Sequence, residues 1–198
     1  MSADTIVHRV VRPFVRAIAP TGVTPNQITT ARLIHGIAAA VCFALPSPTW
    51  QAAGAAIFLL AYFLDRCDGE LARQTGQSSP WGHRYDLLSD GFCVALAFIC
   101  VGIGQTPALG TLGPVLGALA GLGVGVLFWQ LNVLNLGSLQ GWRLSKDVLV
   151  DSDDLLIFVP ILVWLGATVP MLWAAAIITP AGAIILALQG ARRERARG

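Results

Sequence analysis

The stretch LLSDGFCVALAFICVGIG, residues 87–104, decides the fold, because it is long and apolar enough to cross a membrane as one helix. Asp90 is the only charged residue in it and stands near its start. Of the chain's 198 residues, 55% are hydrophobic and only 12% are charged. A soluble domain carries about a quarter charged residues, so the composition predicts an integral membrane protein.

Similar apolar blocks recur along the chain and predict six membrane-spanning helices. They lie at residues 28–46, 50–64, 87–104, 109–136, 154–168 and 170–190. We therefore predict an all-α, polytopic membrane fold in one domain, residues 1–198. Within it, a six-helix bundle covers residues 28–190, and a basic tail covers 191–198.

Charge divides the predicted connections into two groups. The connections at 46–50, 104–112 and 166–170 hold no charged residue, whereas the arginines and lysines cluster in the other loops and near both termini. By the positive-inside rule, the charged loops and both termini face the cytoplasm. The chain is thus expected in an inner or cytoplasmic membrane, and an even number of spans agrees with that orientation.

Residues 4–18 predict an amphipathic helix that lies in the membrane interface. One face carries apolar side chains, namely Ile6, Val7, Val10, Val11, Phe14, Val15 and Ile18. The other face carries His8, Arg9, Arg12 and Arg16, which suits contact with anionic headgroups. A helix packed against the bundle would have the same pattern, so both interpretations stay open.

Glycine recurs at every fourth position of the fourth predicted span, at Gly113, Gly117, Gly121 and Gly125. Such a stripe lets two helices approach closely in lipid. It is typical of helix packing within a bundle or of a contact between copies of a chain.

Four aspartates stand where the second and third spans are predicted to meet the cytoplasm. Asp65 and Asp68 share one helix face, as do Asp86 and Asp90 on the next helix. A turn at residues 76–80 folds the helices back on each other, so the two pairs converge. Four converging carboxylates repel each other and need cations. Oxygen ligands favour Mg²⁺ or Mn²⁺, and two such ions suit the clamping of a phosphoryl group.

Two other interpretations of the aspartates are open at this point. They could be solvated charges of a loop, although carboxylates beside a bilayer edge are costly unless they are occupied. They could also form the ion site of a divalent-cation transporter. A transporter would need polar groups that continue across the membrane, and the outer connections hold no charge. His83 is interpreted as a turn residue and not as a ligand.

The spacing D-x₂-D-G-x₂-A-R-x₈-G-x₃-D-x₃-D, from Asp65 to Asp90, resembles the signature of the CDP-alcohol phosphatidyltransferase family at every position. The resemblance implies a six-span homodimeric enzyme that transfers a substituted phosphate from a CDP-linked donor to an alcohol, with release of CMP. It implies that Asp65, Asp68 and Asp86 hold the metal ions and that Asp90 completes the site and acts as the base. The residues implied to contact the CDP donor are Asn26, Thr29, Arg32, Asp68, Gly69, Ala72, Arg73 and Gly82.

The expected donor is CDP-diacylglycerol, which would make the chain an enzyme of phospholipid biosynthesis with no nucleic-acid partner. Glu70 favours the alternative of a soluble donor such as CDP-inositol, because this acidic residue resembles members that handle CDP-linked polyols. Candidate contacts for the acceptor alcohol are the polar and basic side chains near the predicted cytoplasmic face: Arg84, Gln130, Asn132, Asn135, Arg143 and Lys146. Positive-inside flanking and hydrogen bonds between helices would explain these residues equally well.

Overall fold

The computed structural model of the protein describes residues 6–134, 142–145, 148–150 and 156–195, with side chains at 10–134 and 156–192. The described part is helical apart from one short antiparallel ladder. The elements are α1 Ile6–Ile18, α2 Pro25–Ala44, α3 Pro48–Thr75, α4 Pro80–Gly104, α5 Thr106–Leu109, α6 Leu112–Asn132, β1 Trp142–Ser145, β2 Val148–Val150, α7 Phe158–Trp164 and α8 Thr168–Arg195.

Local sequence fixes the starts of the helices that carry the aspartates. Thr24 caps α2 through a reciprocal capping box with Gln27, and the side chain of Ser79 caps α4 by accepting from the Gly82 N–H at 3.0 Å. Gly76 ends α3 with a φ of 69°, a left-handed conformation that glycine adopts without steric cost. The turn between α3 and α4 is therefore short and defined, and it sets their ends side by side.

A small apolar cluster joins α1, α2 and α3, and a larger apolar core joins α2, α3, α4, α6, α7 and α8. α2 packs against α3 and α4, α4 packs against α6, α6 against α8, and α7 against α3. Phe43 of α2, Leu116 of α6 and Leu172 of α8 are among the buried members of the larger core. Large apolar side chains also cover the outside of the bundle, as expected for surfaces that meet lipid tails.

Four of the described helices are long and apolar enough to cross a membrane: α2, α4, α6 and α8. They make the chain an integral membrane protein by length and composition. α3 is longer, with 28 residues, but polar residues at both of its ends lower its average hydropathy. α7 has seven residues, fewer than the roughly 20 that a span needs. The spans at 50–64 and 154–168 therefore stay predictions, and residues 151–155 lie outside the described part.

The predicted N-terminal helix is present as α1, and its apolar face is divided between two environments. Val11 and Val15 are fully buried against Cys67 and Leu71 of α3. Val10 remains 63% exposed on the same helix. One half of the apolar face thus packs on the bundle while the other half is open, and the position of α1 in a membrane interface stays a prediction.

One element departs from the predicted all-α fold. β1 and β2 pair as antiparallel strands in the connection between α6 and α7, with Trp142 opposite Val150 and Arg143 opposite Leu149. This stretch is rich in β-branched and aromatic residues, a composition that favours strands. The sequence predicts a charged loop here, with Arg143 and Lys146 as candidate acceptor contacts, and no strands.

The glycine stripe of α6 packs against α4. A Cβ on Gly117 would lie 2.8 Å from the Gly102 Cα and 2.9 Å from the carbonyl oxygens of Phe98 and Ile99. These neighbours are backbone atoms of α4 and cannot rotate away. The stripe therefore explains close helix packing inside one chain, which is the first of its two predicted roles.

We expect Gly117→Ala to destabilise the bundle by about 1–3 kcal/mol, because the added methyl group meets α4 backbone. The matched control is Gly125→Ala, whose Cβ would lie 3.7 Å from the Ala95 side chain, an ordinary contact. Denaturation of the detergent-solubilised variants measures the difference. Equal stability of the two variants would contradict this packing.

Candidate active site

The end of α3 and the start of α4 bring the predicted aspartates together. Asp65, Asp68 and Asp86 each offer a carboxylate oxygen, and these oxygens all lie within 4.8 Å of one another. Asp90 lies one turn farther along α4 than Asp86 and joins the cluster through Arg32. The two helical pairs thus converge as their spacing predicts.

Arg32 of α2 occupies the centre of this cluster. Its guanidinium pairs with Asp65, with the Asp86 carboxylate at 3.2 Å and with the Asp90 carboxylate at 3.1 Å. Its Nη2 also donates to the Asp86 carbonyl oxygen at 2.9 Å. The Arg32 side chain is 3% exposed, so these charges attract each other with little screening by water.

Two further residues of α2 lie beside the cluster, and Thr29 contacts an aspartate. Thr29 donates from its hydroxyl to the Asp68 carboxylate at 2.7 Å, and both side chains are buried. A Cβ on Gly82 would lie 2.9 Å from the Asn26 amide oxygen, so the glycine allows α2 and α4 to approach at this point. Asn26, Thr29 and Arg32 therefore form one wall of the site, and Arg32 and Thr29 face carboxylates directly.

The carboxylate cluster fits a divalent cation. Asp68 lies beyond the span predicted at 50–64, and burial raises the pKa of its carboxyl group to about 7, with added repulsion from Asp86 and Asp65. Burial and repulsion of this kind disfavour the ionised carboxylate, and a bound cation would stabilise it. Three carboxylate oxygens in close reach are a suitable donor set for Mg²⁺ or Mn²⁺.

A cavity of about 340 Å³ opens beside the cluster, between the first turn of α2, the end of α3 and the first turn of α4. We call it the donor cavity. Seven of the eight residues that the resemblance assigns to the CDP donor line it, namely Asn26, Thr29, Asp68, Gly69, Ala72, Arg73 and Gly82. The eighth, Arg32, points into the carboxylates instead.

A second cavity of about 190 Å³, which we call the acceptor cavity, lies on the other side of the aspartates. Asp65, Asp90, Arg66, Phe128 and Asn132 line it and do not line the donor cavity. A separate space of about 30 Å³ lies behind Arg32, where Asp90 adjoins the apolar side chains of the bundle. Asp90 is thus at the inner end of the site.

The predicted acceptor residues have different positions. Asn132 lines the acceptor cavity. Gln130 is buried and donates to the Ala183 carbonyl oxygen at 3.1 Å, so it joins α6 to α8. Arg84 is exposed and lines neither cavity. The side chains of Asn135, Arg143 and Lys146 lie outside the described residues.

Arg66 is the site residue that the sequence analysis missed. Its side chain lines the acceptor cavity and is 13% exposed, its Nε lies 3.9 Å from Asp65, and its guanidinium stacks 5.2 Å from the centre of the Tyr62 ring. The available signal is a large cationic residue at an unspecified position of the signature, between Asp65 and Asp68.

Glu70 does not line either cavity. Its buried carboxylate faces α1 and the following turn of α3, where it pairs with Arg12 at 3.4 Å and accepts from Arg73 at 2.9 Å. Any influence of Glu70 on the donor is therefore indirect, through the residues that it holds.

Comparison with known proteins connects this arrangement to a family. A family model described as CDP-alcohol phosphatidyltransferase matches residues 22–181. The chain belongs to this family. The match contains α2 to α7, both cavities and all four aspartates, and the predicted recognition is confirmed.

This member of the CDP-alcohol phosphatidyltransferase family is similar to a curated protein and to solved structures. Cholinephosphotransferase 1 of Danio rerio is 36% identical over an alignment 100 residues long, which covers 44% of this chain and 26% of that protein. The chain thus matches about a quarter of the length of that relative.

The solved relatives are two structures of the phosphatidylinositol phosphate synthase PgsA1 of Mycobacterium tuberculosis. The one with CDP-DAG bound has a TM-score of 0.72 and 16% identity, with 92% of this chain and 94% of that chain covered. The apo form has a TM-score of 0.61 and 18% identity, with 88% and 94% covered. At these identities the likeness shows a shared fold.

We expect Arg32→Met to lower the free energy of unfolding by about 3–5 kcal/mol, because it leaves buried carboxylates without their cation. Arg84→Met is the matched control, as Arg84 is exposed. The stability of both variants should rise as the pH falls through about 7, because protonation of Asp68 relieves repulsion. In Arg32→Met this rise should begin at a higher pH, because Arg32 lowers the pKa of Asp68. Denaturation of both variants across pH 6–8 measures the effect, and equal stability at every pH would remove Arg32 from this role.

We expect the apparent affinity of the aspartate cluster for Mn²⁺ to rise with pH and then to level off. Below the Asp68 pKa of about 7, the ion must displace a proton, so the affinity falls about tenfold per pH unit; above it, the affinity levels off. Titration of the donor-free protein, followed by the electron paramagnetic resonance of free Mn²⁺ between pH 5.5 and 8.5, measures this. An affinity that stays constant over that range would contradict the assignment.

Proposed function

We propose that the chain transfers the phosphatidyl group of CDP-diacylglycerol to the hydroxyl of a small polar alcohol, with release of CMP. The observation that carries this proposal is the arrangement of two cavities on one carboxylate cluster. Asp68, Gly69, Arg73 and Asp86 line both cavities, so two substrates can meet at the same residues. Membership in the family and the CDP-DAG bound to the Mycobacterium tuberculosis synthase support this donor.

In the proposed complex, the CDP part of the donor lies in the donor cavity. Gly69 leaves the α3 surface bare at this point, since a Cβ there would meet only the Arg73 guanidinium within 4 Å. Arg73 supplies positive charge for a phosphate. Asn26 and Thr29 border the pyrophosphate from α2, while the acyl chains stay in the bilayer.

The acceptor alcohol is proposed to enter the acceptor cavity beside Asp90. Its hydroxyl oxygen forms a bond to the phosphorus farther from cytidine, and the bond from that phosphorus to the bridging oxygen breaks, with the electron pair leaving on CMP. The hydroxyl proton passes to the Asp90 carboxylate, which acts as the general base. Arg66 and Asn132 are the proposed contacts for the rest of the acceptor.

Asp65, Asp68 and Asp86 are proposed to hold divalent metal, most simply two Mg²⁺ ions, with Asp90 completing the ligand set. Bound metal would supply positive charge that stabilises the pyrophosphate and the leaving phosphate. Arg32 holds three of these carboxylates in place from the side of the bundle, and Thr29 orients the fourth.

The membrane arrangement is proposed as in the sequence analysis. Both termini, the end of α3 and the start of α4 face the cytoplasm of an inner or cytoplasmic membrane, since the basic residues cluster there. α3 and the segment around α7 would complete six spans, with α1 in the interface. A homodimer is proposed from family resemblance alone.

The test is CMP release by the purified protein in lipid with Mg²⁺, using CDP-diacylglycerol or CDP-inositol as donor and a panel of alcohols and phosphorylated alcohols as acceptors. We expect acceptor-dependent release from CDP-diacylglycerol. Asp90→Asn should lower kcat by about 10²–10⁴ while the KM for the donor changes little, because it removes the proposed base.

Three outcomes would change the proposal. CMP release only from CDP-inositol would show that the enzyme uses a soluble donor. Substantial turnover by Asp90→Asn, with Mn²⁺ binding intact, would remove Asp90 from the role of base. Metal binding without CMP release from any donor would favour the alternative that the chain is a divalent-cation transporter.

A further inference from the structure

We infer that Glu70 is a positioning residue that fixes Arg73 beside the donor cavity and joins α1 to that cavity through Arg12. The inference rests on the proposed function only in taking Arg73 as a contact for the cytidine nucleotide. It makes α1 part of the donor site, although none of the α1 side chains that the structure describes, at residues 10–18, lines the cavity.

The first step is the contact between Glu70 and Arg73, one helical turn apart on α3. Arg73 donates to the same Glu70 oxygen from Nη2 at 2.9 Å and from Nε at 3.3 Å. Gln74 donates to the other oxygen at 2.9 Å. Two donors on one edge of a planar guanidinium fix its orientation as well as its position.

The second step concerns the part of the Arg73 guanidinium that stays available to a ligand. With Nε and Nη2 turned to Glu70, the Nη1 of Arg73 lies 3.7 Å from the place of a Cβ on Gly69. Gly69 is the bare surface that borders both cavities. Arg73 is 47% exposed and would otherwise sample many rotamers, so its fixation lowers the entropy lost when a phosphate binds.

The third step is that the buried Glu70 carboxylate needs a second cation besides Arg73. The Glu70 side chain is only 8% exposed, and a buried carboxylate is costly unless it is well paired. Arg12 approaches its Oε1 at 3.4 Å from α1. Val11 and Val15, which flank Arg12 along α1, are fully buried against α3 and hold the helix where this contact forms. Displacement of α1 would therefore leave Glu70 with less positive charge and Arg73 less firmly held.

The test compares Glu70→Gln, Arg12→Gln and Arg16→Gln in the full-length protein in lipid. Arg16 is an exposed arginine of the same helix, so its substitution removes the same charge from α1 without touching Glu70. The readouts are the dissociation constant for CMP and the KM and kcat for CDP-diacylglycerol. We expect Glu70→Gln to weaken CMP binding and raise the donor KM by roughly tenfold, with kcat changed less than about twofold.

Arg12→Gln should give a smaller change of the same kind, and Arg16→Gln should give none. Because Glu70 acts through Arg73, Glu70→Gln should have no further effect on CMP binding in an Arg73→Gln background. An equal effect in both backgrounds, or equal effects of the Arg12 and Arg16 variants, would overturn the inference. Folding is checked by the melting temperature, and Arg12→Gln, which is nearer the surface, remains informative if Glu70→Gln does not fold.

Binding and turnover separate this inference from the proposed function. Wild-type protein that binds CMP but releases none from any donor would contradict the proposed function, and the binding series would still decide the role of Glu70. Wild-type protein that binds no cytidine nucleotide would overturn both. CMP release by the wild type with unchanged CMP binding and donor KM in Glu70→Gln would overturn the inference alone.

Discussion

Repulsion between four carboxylates at the edge of an apolar bundle is the constraint on which this structure depends. Asp65, Asp68, Asp86 and Asp90 come from two helices, and burial makes their mutual repulsion strong. Arg32 offsets it from a third helix, with a side chain that is 3% exposed. The relative positions of α2, α3 and α4 are therefore set as much by charge as by apolar packing.

The separation of the site into two cavities follows from the same constraint. Because α2 supplies the central cation, its first turn must lie close to the ends of α3 and α4, and Gly82 permits this approach to Asn26. The donor and acceptor cavities both reach the carboxylates on sides that α2 leaves open. In the proposed reaction, this packing places the donor and the acceptor on different sides of the aspartates.

The sequence alone predicted the features that depend on residue spacing within one chain segment. The i, i+3 and i, i+4 intervals between aspartates predicted two helical pairs, and apolar length predicted α2, α4, α6 and α8. It was insufficient where side chains from distant segments meet. Arg32 was expected to face the donor, but it turns toward Asp65, Asp86 and Asp90, a choice that depends on how α2 packs. The position of Arg66 in the acceptor cavity and the direction of the Glu70 side chain likewise depend on contacts with other helices.

The beginnings of α2 and α4 both open onto the donor cavity, where Pro25, Asn26, Ser79 and Gly82 line it. Backbone N–H groups at a helix start lack partners within the helix and carry a partial positive charge of about half a unit. The dipoles of two helices therefore direct partial positive charge toward this cavity beside Arg73, while the caps Thr24 and Ser79 already accept from the N–H groups of Gln27 and Gly82. This partial charge does not titrate, and it belongs to the direction of the two helices and not to any single side chain.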